Sequence, residues 1–199
     1  AQRAALIVAL TALAYALALT LSLWFIPYIA GLIVAVGLAS GVAAMSSMRF
    51  GLPGVLGVLL GAFVGYARVV PPDLAFMLAC AATAGAGLMG YLARRLAPFS
   101  LALDYVASVA KFALVIAPLG SAVTVALGVL SLYAGGLLAA PQVPQALWVG
   151  WMAELLGVYL VAPILMTASR WDLLPRSRGA RIASAIGRSS ATTRLPVNR

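Results

Sequence analysis

Glu154 is the residue on which any chemistry in this chain would turn. It lies about eight residues into an apolar run from Ala146 to Ala168, with Trp148 and Trp151 before it and Tyr159 after it. An ionised acid at bilayer depth costs roughly 2.5–3.5 kcal/mol even on insertion scales. Such a residue is expected to face a bundle interior or a wet cavity. Trp148, Trp151 and Tyr159 could wall that cavity, which makes these four the candidate ligand-binding residues. The tryptophans equally suit a belt at the membrane interface.

A second polar pair is Asp104 and Lys111, seven residues apart and so on one face of a helix. Two readings stand side by side. Asp104 can sit in the headgroup layer with Lys111 snorkelling to it, as an interfacial anchor. Alternatively the pair biases a switch. With Pro118, a residue able to kink its helix, Asp104 and Lys111 are the candidate signal-relay residues.

Several chemistries are excluded. There is no histidine, a single cysteine (Cys80) and four acids, so His-based acid–base catalysis is absent and a transition-metal or haem site is not expected. No nucleophile stands beside a base, and no phosphate loop of the GxxxxGK[ST] kind occurs. An enzyme is therefore the weakest reading, and no cofactor is expected.

The elements that must position these residues follow from composition. Of 199 residues, 64% are hydrophobic and only 9% charged, with a mean hydropathy of +1.10. Soluble chains carry roughly 25% charged residues. The solvent of this chain is therefore expected to be lipid. Its net charge is +9, but the bases lie in short gaps and in the tail. That pattern fixes topology rather than forming a nucleic-acid stripe.

Apolar runs of about 20 residues mark spans. They occur at Ala4 to Phe25, Tyr28 to Met45, Leu52 to Val70, Leu74 to Ala93 and Ala146 to Ala168. The first is too long for a signal-peptide core and reads as a true span. The stretch from Leu101 to Leu138 could be two spans broken at Pro118-Leu119-Gly120, or one kinked span from about Phe112. Charge decides between them. With Arg3, Arg49, Arg94 and Arg95 inside, one span places the arginine-rich tail inside as well. The expectation is an all-α polytopic bundle of about six spans (residues 1–172) with both termini cytoplasmic. A basic juxtamembrane tail or linker, 173–199, follows and is expected to be drawn to anionic lipid.

Small residues suggest how the helices meet. Gly57, Gly61 and Gly65 form one stripe, and Gly37 with Gly41 a second pair. Such stripes let backbones approach where apolar burial provides no drive between helices. They serve packing inside the bundle or a homodimer interface.

Three segments carry a family likeness. They are Phe50-Gly51-Leu52-Pro53-Gly54-Val55-Leu56-Gly57 with Gly61-Ala62-Phe63, Gly90-Tyr91-Leu92-Ala93-Arg94-Arg95-Leu96, and Trp148-Val149-Gly150-Trp151-Met152-Ala153-Glu154-Leu155-Leu156-Gly157-Val158 with Val161-Ala162-Pro163. In these, and in Ala117-Pro118-Leu119-Gly120-Ser121-Ala122, the chain resembles the bacterial membrane-associated sensor domain of the first class, the MASE family. Such domains precede histidine kinases and diguanylate cyclases. The likeness covers most of residues 10–168. It departs at Ile26-Pro27-Tyr28-Ile29-Ala30-Gly31, where the family has Trp-Pro-Pro, and at Thr83, Gly85 and Gly87, where it carries Asn and Glu. Family members have about eight spans, so this chain reads as an excised sensor region or a short relative.

The resemblance implies a sensory input module in a bacterial inner membrane. It would detect a ligand, lipid or partner protein and relay a signal to a kinase or cyclase, as in two-component or cyclic di-GMP signalling. The alternative is a small-solute transporter or its substrate-binding subunit, for which a kinked helix and a buried acid are also expected. Membrane lipids are expected partners and nucleic acid is not.

Overall fold

The computed structural model describes residues 2–24, 37–96 and 106–171. The first half of the expected second span, Asp104 and the tail 173–199 lie outside the described residues. The chain divides into two compact units, Ala1–Pro163 and Ile164–Arg199. The bundle described here is the first; of the second, only the end of its helix to Trp171 is described.

Among the described residues every element is helical. The order is α1 (Gln2–Trp24), α2 (Leu38–Phe50), α3 (Leu52–Tyr66), α4 (Pro72–Leu96), α5 (Val106–Lys111), a π turn (Phe112–Ile116), α6 (Ala117–Ala134), a 3-10 turn (Ala140–Gln142) and α7 (Val143–Trp171). Among the described residues, four stretches are long and apolar enough to cross a membrane: Gln2–Ser22, Pro72–Leu96, Val109–Ala134 and Ala140–Leu165. Leu52–Tyr66 is apolar but shorter.

The surface is built for an apolar solvent. Along α1, Leu6, Leu10, Leu13, Leu17 and Leu21 all point outward, a helical stripe of large side chains with no polar interruption. Leu52, Leu56, Leu60 and Val64 form the same kind of stripe on α3. The interior carries small residues instead. In α2, Ala39, Ser40, Gly41, Ala43, Ala44, Met45, Ser46 and Ser47 are all buried. Near-continuous burial makes α2 the central helix, and it packs on α1, α3 and α4.

The glycine stripes lie within the bundle. A Cβ added at Gly57 would come 2.5 Å from Thr11 Cβ, one at Gly61 would come 2.5 Å from the Ala12 carbonyl oxygen, and one at Gly65 2.5 Å from Leu19 Cδ2. All three partners are on α1, so no side chain could stand between α1 and α3 there. Gly37 and Gly41 lie against α7 in the same way, beside the Ala153 carbonyl and Val161. These pairings also give directions. α1 and α3 run parallel, α2 runs parallel to α4 (Ser47 beside Gly90) and to α7, and α4 opposes α6 (Gly85 beside Thr124, Met89 beside Gly120).

A consequence is that the basic residues gather. Arg49 ends α2 and Arg94 and Arg95 end α4. Arg94 donates to the Ser47 carbonyl at 3.5 Å, and Lys111 donates to the Leu96 carbonyl at 3.3 Å. Arg3 starts α1 at this same end. The α2–α3 corner here has no loop at all: Gly51 alone makes it, at φ +63°, a conformation that side-chain-bearing residues rarely adopt.

The helix from Val106 to Ala134 is continuous through Pro118. Proline removes one N–H and its ring presses on the preceding turn. The chain responds by widening that turn: the Ala117 N–H bonds back to the Phe112 carbonyl, five residues away. One long helix with a π turn thus occupies the stretch where a break at Pro118 was the alternative.

Candidate functional site

Glu154 sits where α7 crosses the start of α2. Two bonds tie the helices there. The Gly37 N–H donates to the Ala153 carbonyl at 3.2 Å, and the Ser40 hydroxyl donates to the Glu154 carbonyl at 3.0 Å. Ser40 also donates to the Gly37 carbonyl within its own turn. The close approach depends on glycine on both sides, since a Cβ at Gly157 would overlap the Gly37 carbonyl.

From this joint the Glu154 side chain enters a small cavity. Among the described residues, Tyr15 of α1, Ser40 of α2, Thr124 of α6 and Glu154 supply its polar wall, and Met89 with three alanines lines the rest. The space admits the centre of a water-sized sphere over about 10 Å³, close to the least that holds one water. The Tyr66 hydroxyl of α3 lies within hydrogen-bonding reach of that of Tyr15, and both are within electrostatic range of the Glu154 carboxyl. Tyr15 is only 3% exposed.

The carboxyl is incompletely satisfied. Ser40 lies within hydrogen-bonding reach of it, but Glu154 Oε2 is buried without a hydrogen-bond partner. Among the described residues one other buried side-chain oxygen is in that position, Ser121 Oγ. Among the described residues no cation lines the cavity. A carboxyl in such a place needs an electron-poor companion.

The other candidates are placed elsewhere. Trp151 donates its indole N–H to the Pro118 carbonyl at 3.1 Å, and Tyr159 donates its hydroxyl to the Ala113 carbonyl at 2.5 Å. Both therefore bind α7 to the widened turn. Trp148 is 60% exposed and stacks obliquely on Trp151 with ring centroids 5.8 Å apart. The expected aromatic walls of the Glu154 cavity are thus corrected: among the described residues its lining is Tyr15, Met89, Ser40, Thr124 and alanines, while Trp151 and Tyr159 bond to α6 and to the π turn and Trp148 is largely exposed. The physical reason is helix geometry. Residues 148, 151, 155 and 159 follow one face, and 154 and 157 lie round the helix from it.

Lys111 bonds the end of α4, and its expected partner Asp104 lies outside the described residues. Pro118 joins the site indirectly, through Trp151. Sequence reasoning missed Tyr15, Ser40, Tyr66 and Thr124. Each is a hydroxyl in an otherwise apolar run, and that is the one signal that pointed to them.

The arrangement offers oxygen donors and one carboxyl, with room for a single small guest. It offers no nucleophile–base pair. Among the described residues no group of His, Cys, Asp or Glu could hold a metal ion by itself. Comparison of the chain with protein-family models, with curated proteins and with solved structures finds no match.

Proposed function

We propose that this chain is a membrane-embedded sensory input module of the MASE type, set in a bacterial inner membrane. In this reading it crosses the membrane six times, and the end carrying Arg3, Arg49, Arg94, Arg95 and Lys111 faces the cytoplasm. The alternating helix directions and the gathering of the bases at one end support that topology.

The observation that carries the sensory reading is the incompletely satisfied Glu154 carboxyl at the joint of α2 and α7. Occupancy of the cavity changes the balance of charge at a contact held by two interhelical hydrogen bonds and a pair of glycines. A guest that prefers one packing over the other by about 1.4 kcal/mol shifts the populations about tenfold. The shift would travel along α2 to Arg49 and along α7 toward the tail, both of which lead to the cytoplasmic end in this topology.

The test is Glu154→Gln in a chain joined to its native kinase or cyclase output. The expected result is altered output with near-normal membrane accumulation, because Gln keeps the volume and removes the charge. Normal output from a normally accumulated variant ends the reading.

A further inference from the structure

The kind of guest is written in the hydroxyl protons around Glu154. The single proton of the Ser40 hydroxyl is shared among the Gly37 carbonyl, the Glu154 carbonyl and the Glu154 carboxylate. Thr124 directs its proton to the Gly120 carbonyl at 3.2 Å. A hydroxyl has one proton and two lone pairs, so both groups have their donors taken by acceptors of the protein itself and none to spare for a guest. What they turn to the cavity is lone pairs. Glu154 Oε2, buried and without a partner, adds another acceptor.

A wall of acceptors selects an electron-poor guest and rejects anions. An imidazole or thiolate wall would favour softer metals; among the described lining residues the potential ligands are four side chains bearing oxygen and a single thioether, Met89, a set that suits hard cations. Charge narrows the choice further. A single carboxylate neutralises one positive charge, whereas calcium sites gather 6–8 oxygens with several carboxylates. Size narrows it again. The space beside the carboxyl, about 10 Å³ for the centre of a water-sized sphere, matches a guest of one or two atoms. It suits one dehydrated small ion.

We infer that the cavity bounded by Glu154, Ser40, Thr124 and Tyr15 is a binding site for one sodium ion, which competes with a proton for the carboxylate. This rests on the sensory reading only for its purpose; the site stands on its own geometry. The ion removes the uncompensated charge from the bilayer interior and draws α2 and α7 together through Ser40 and Glu154. Sodium thereby favours the packing seen here, and its departure leaves the carboxyl to be neutralised by a proton.

The experiment uses the purified chain in lipid nanodiscs. Thermal unfolding and tryptophan emission are followed as sodium chloride replaces choline chloride at constant ionic strength, with potassium chloride as the size control. The series is run at mildly alkaline and mildly acidic pH. At ten times its Kd, sodium should raise the midpoint by about 3–6 °C. Potassium should do much less. Below the carboxyl's titration midpoint the apparent sodium affinity should fall about tenfold per pH unit, as expected for one competing proton. Glu154→Gln should abolish the sodium effect. Should that variant not fold, Thr124→Val removes one ligand at nearly constant volume and should weaken sodium about tenfold, equal to 1.4 kcal/mol.

Equal responses to sodium, potassium and choline at both pH values overturn the inference. So does a sodium response that survives in Glu154→Gln, which marks an adventitious ion only. A response to pH without one to sodium leaves the proton as sole occupant and also rejects the sodium site. None of these outcomes depends on an output domain, so the sodium site and the sensory reading can fail separately.

Discussion

Tyr159 donates its hydroxyl to the carbonyl of Ala113, the acceptor that Pro118 leaves without a backbone donor. In the widened turn, Ala113 would be served by the N–H five residues on. That residue is the proline, which has none. A side chain from α7 fills the vacancy, so the defect in one helix becomes the attachment point of another.

Removing that hydroxyl should therefore loosen the contact. Tyr159→Phe is expected to cost about 0.6 kcal/mol, the mean measured for interhelical hydrogen bonds in membranes, and no more than about 1.7 kcal/mol, their maximum. The check is reversible unfolding in mixed micelles. Pro118→Ala restores the missing donor, and in that background Tyr159→Phe should cost less. Strict additivity of the two substitutions would show that the proline and the tyrosine are not coupled.

The α2–α7 joint makes a second prediction. Gly157→Ala drives a methyl into the Gly37 carbonyl and should destabilise by about 1–3 kcal/mol, as overpacking does. Gly87 on α4 is the internal control. Nothing lies within 4 Å of a Cβ there, so Gly87→Ala should be neutral or stabilising by about 0.5–1 kcal/mol through helix propensity. Melting temperatures in one lipid decide it, and equal losses at the two glycines would contradict the packing.

Ser40→Ala tests the polar half of the same joint. It deletes the bond to the Glu154 carbonyl and the nearest hydroxyl to its carboxyl. Faster hydrogen exchange at the start of α2, with little change in α4, is the expected pattern. Uniform acceleration throughout the bundle would assign Ser40 a merely global role.

Cys80 reports on the solvent. It is the chain's single thiol and is exposed on the outer surface of α4, eight residues from its start at Pro72. In a bilayer that surface faces hydrocarbon, which a charged reagent does not enter. A charged maleimide should leave it unlabelled in intact vesicles and label it after denaturation. Rapid labelling in vesicles would mean that water reaches this face.

Much of the architecture was legible from charge and hydropathy. The runs at Leu74–Ala93 and Ala146–Ala168 each fall within a helix long enough to span, and the run from Ala4 is helical as far as Trp24, because twenty apolar residues leave the backbone few other ways to satisfy itself in lipid. The site was legible only in part. Glu154 stood out because a charge in an apolar run is costly wherever it goes. Its companions did not, since a lone hydroxyl such as Ser40 or Thr124 can satisfy itself on its own helix. The misplaced aromatics show the same limit. Sequence proximity put Trp151 three residues from Glu154, but only the neighbouring helices determine which face looks where. The widened turn likewise required Pro118 and Tyr159 to be seen together, 41 residues apart in the chain.

The shortness of α3 has an outcome for the surrounding lipid. Its 15 residues reach about 22 Å at 1.5 Å per residue, against a hydrocarbon thickness of about 30 Å. The neighbouring α4 has 25 residues and reaches about 37 Å. The outward leucines of α3 thus offer a low wall beside a tall one. Acyl chains meeting that wall must tilt or compress, so bilayers built from shorter fatty acids should fit this flank of the protein with the least deformation.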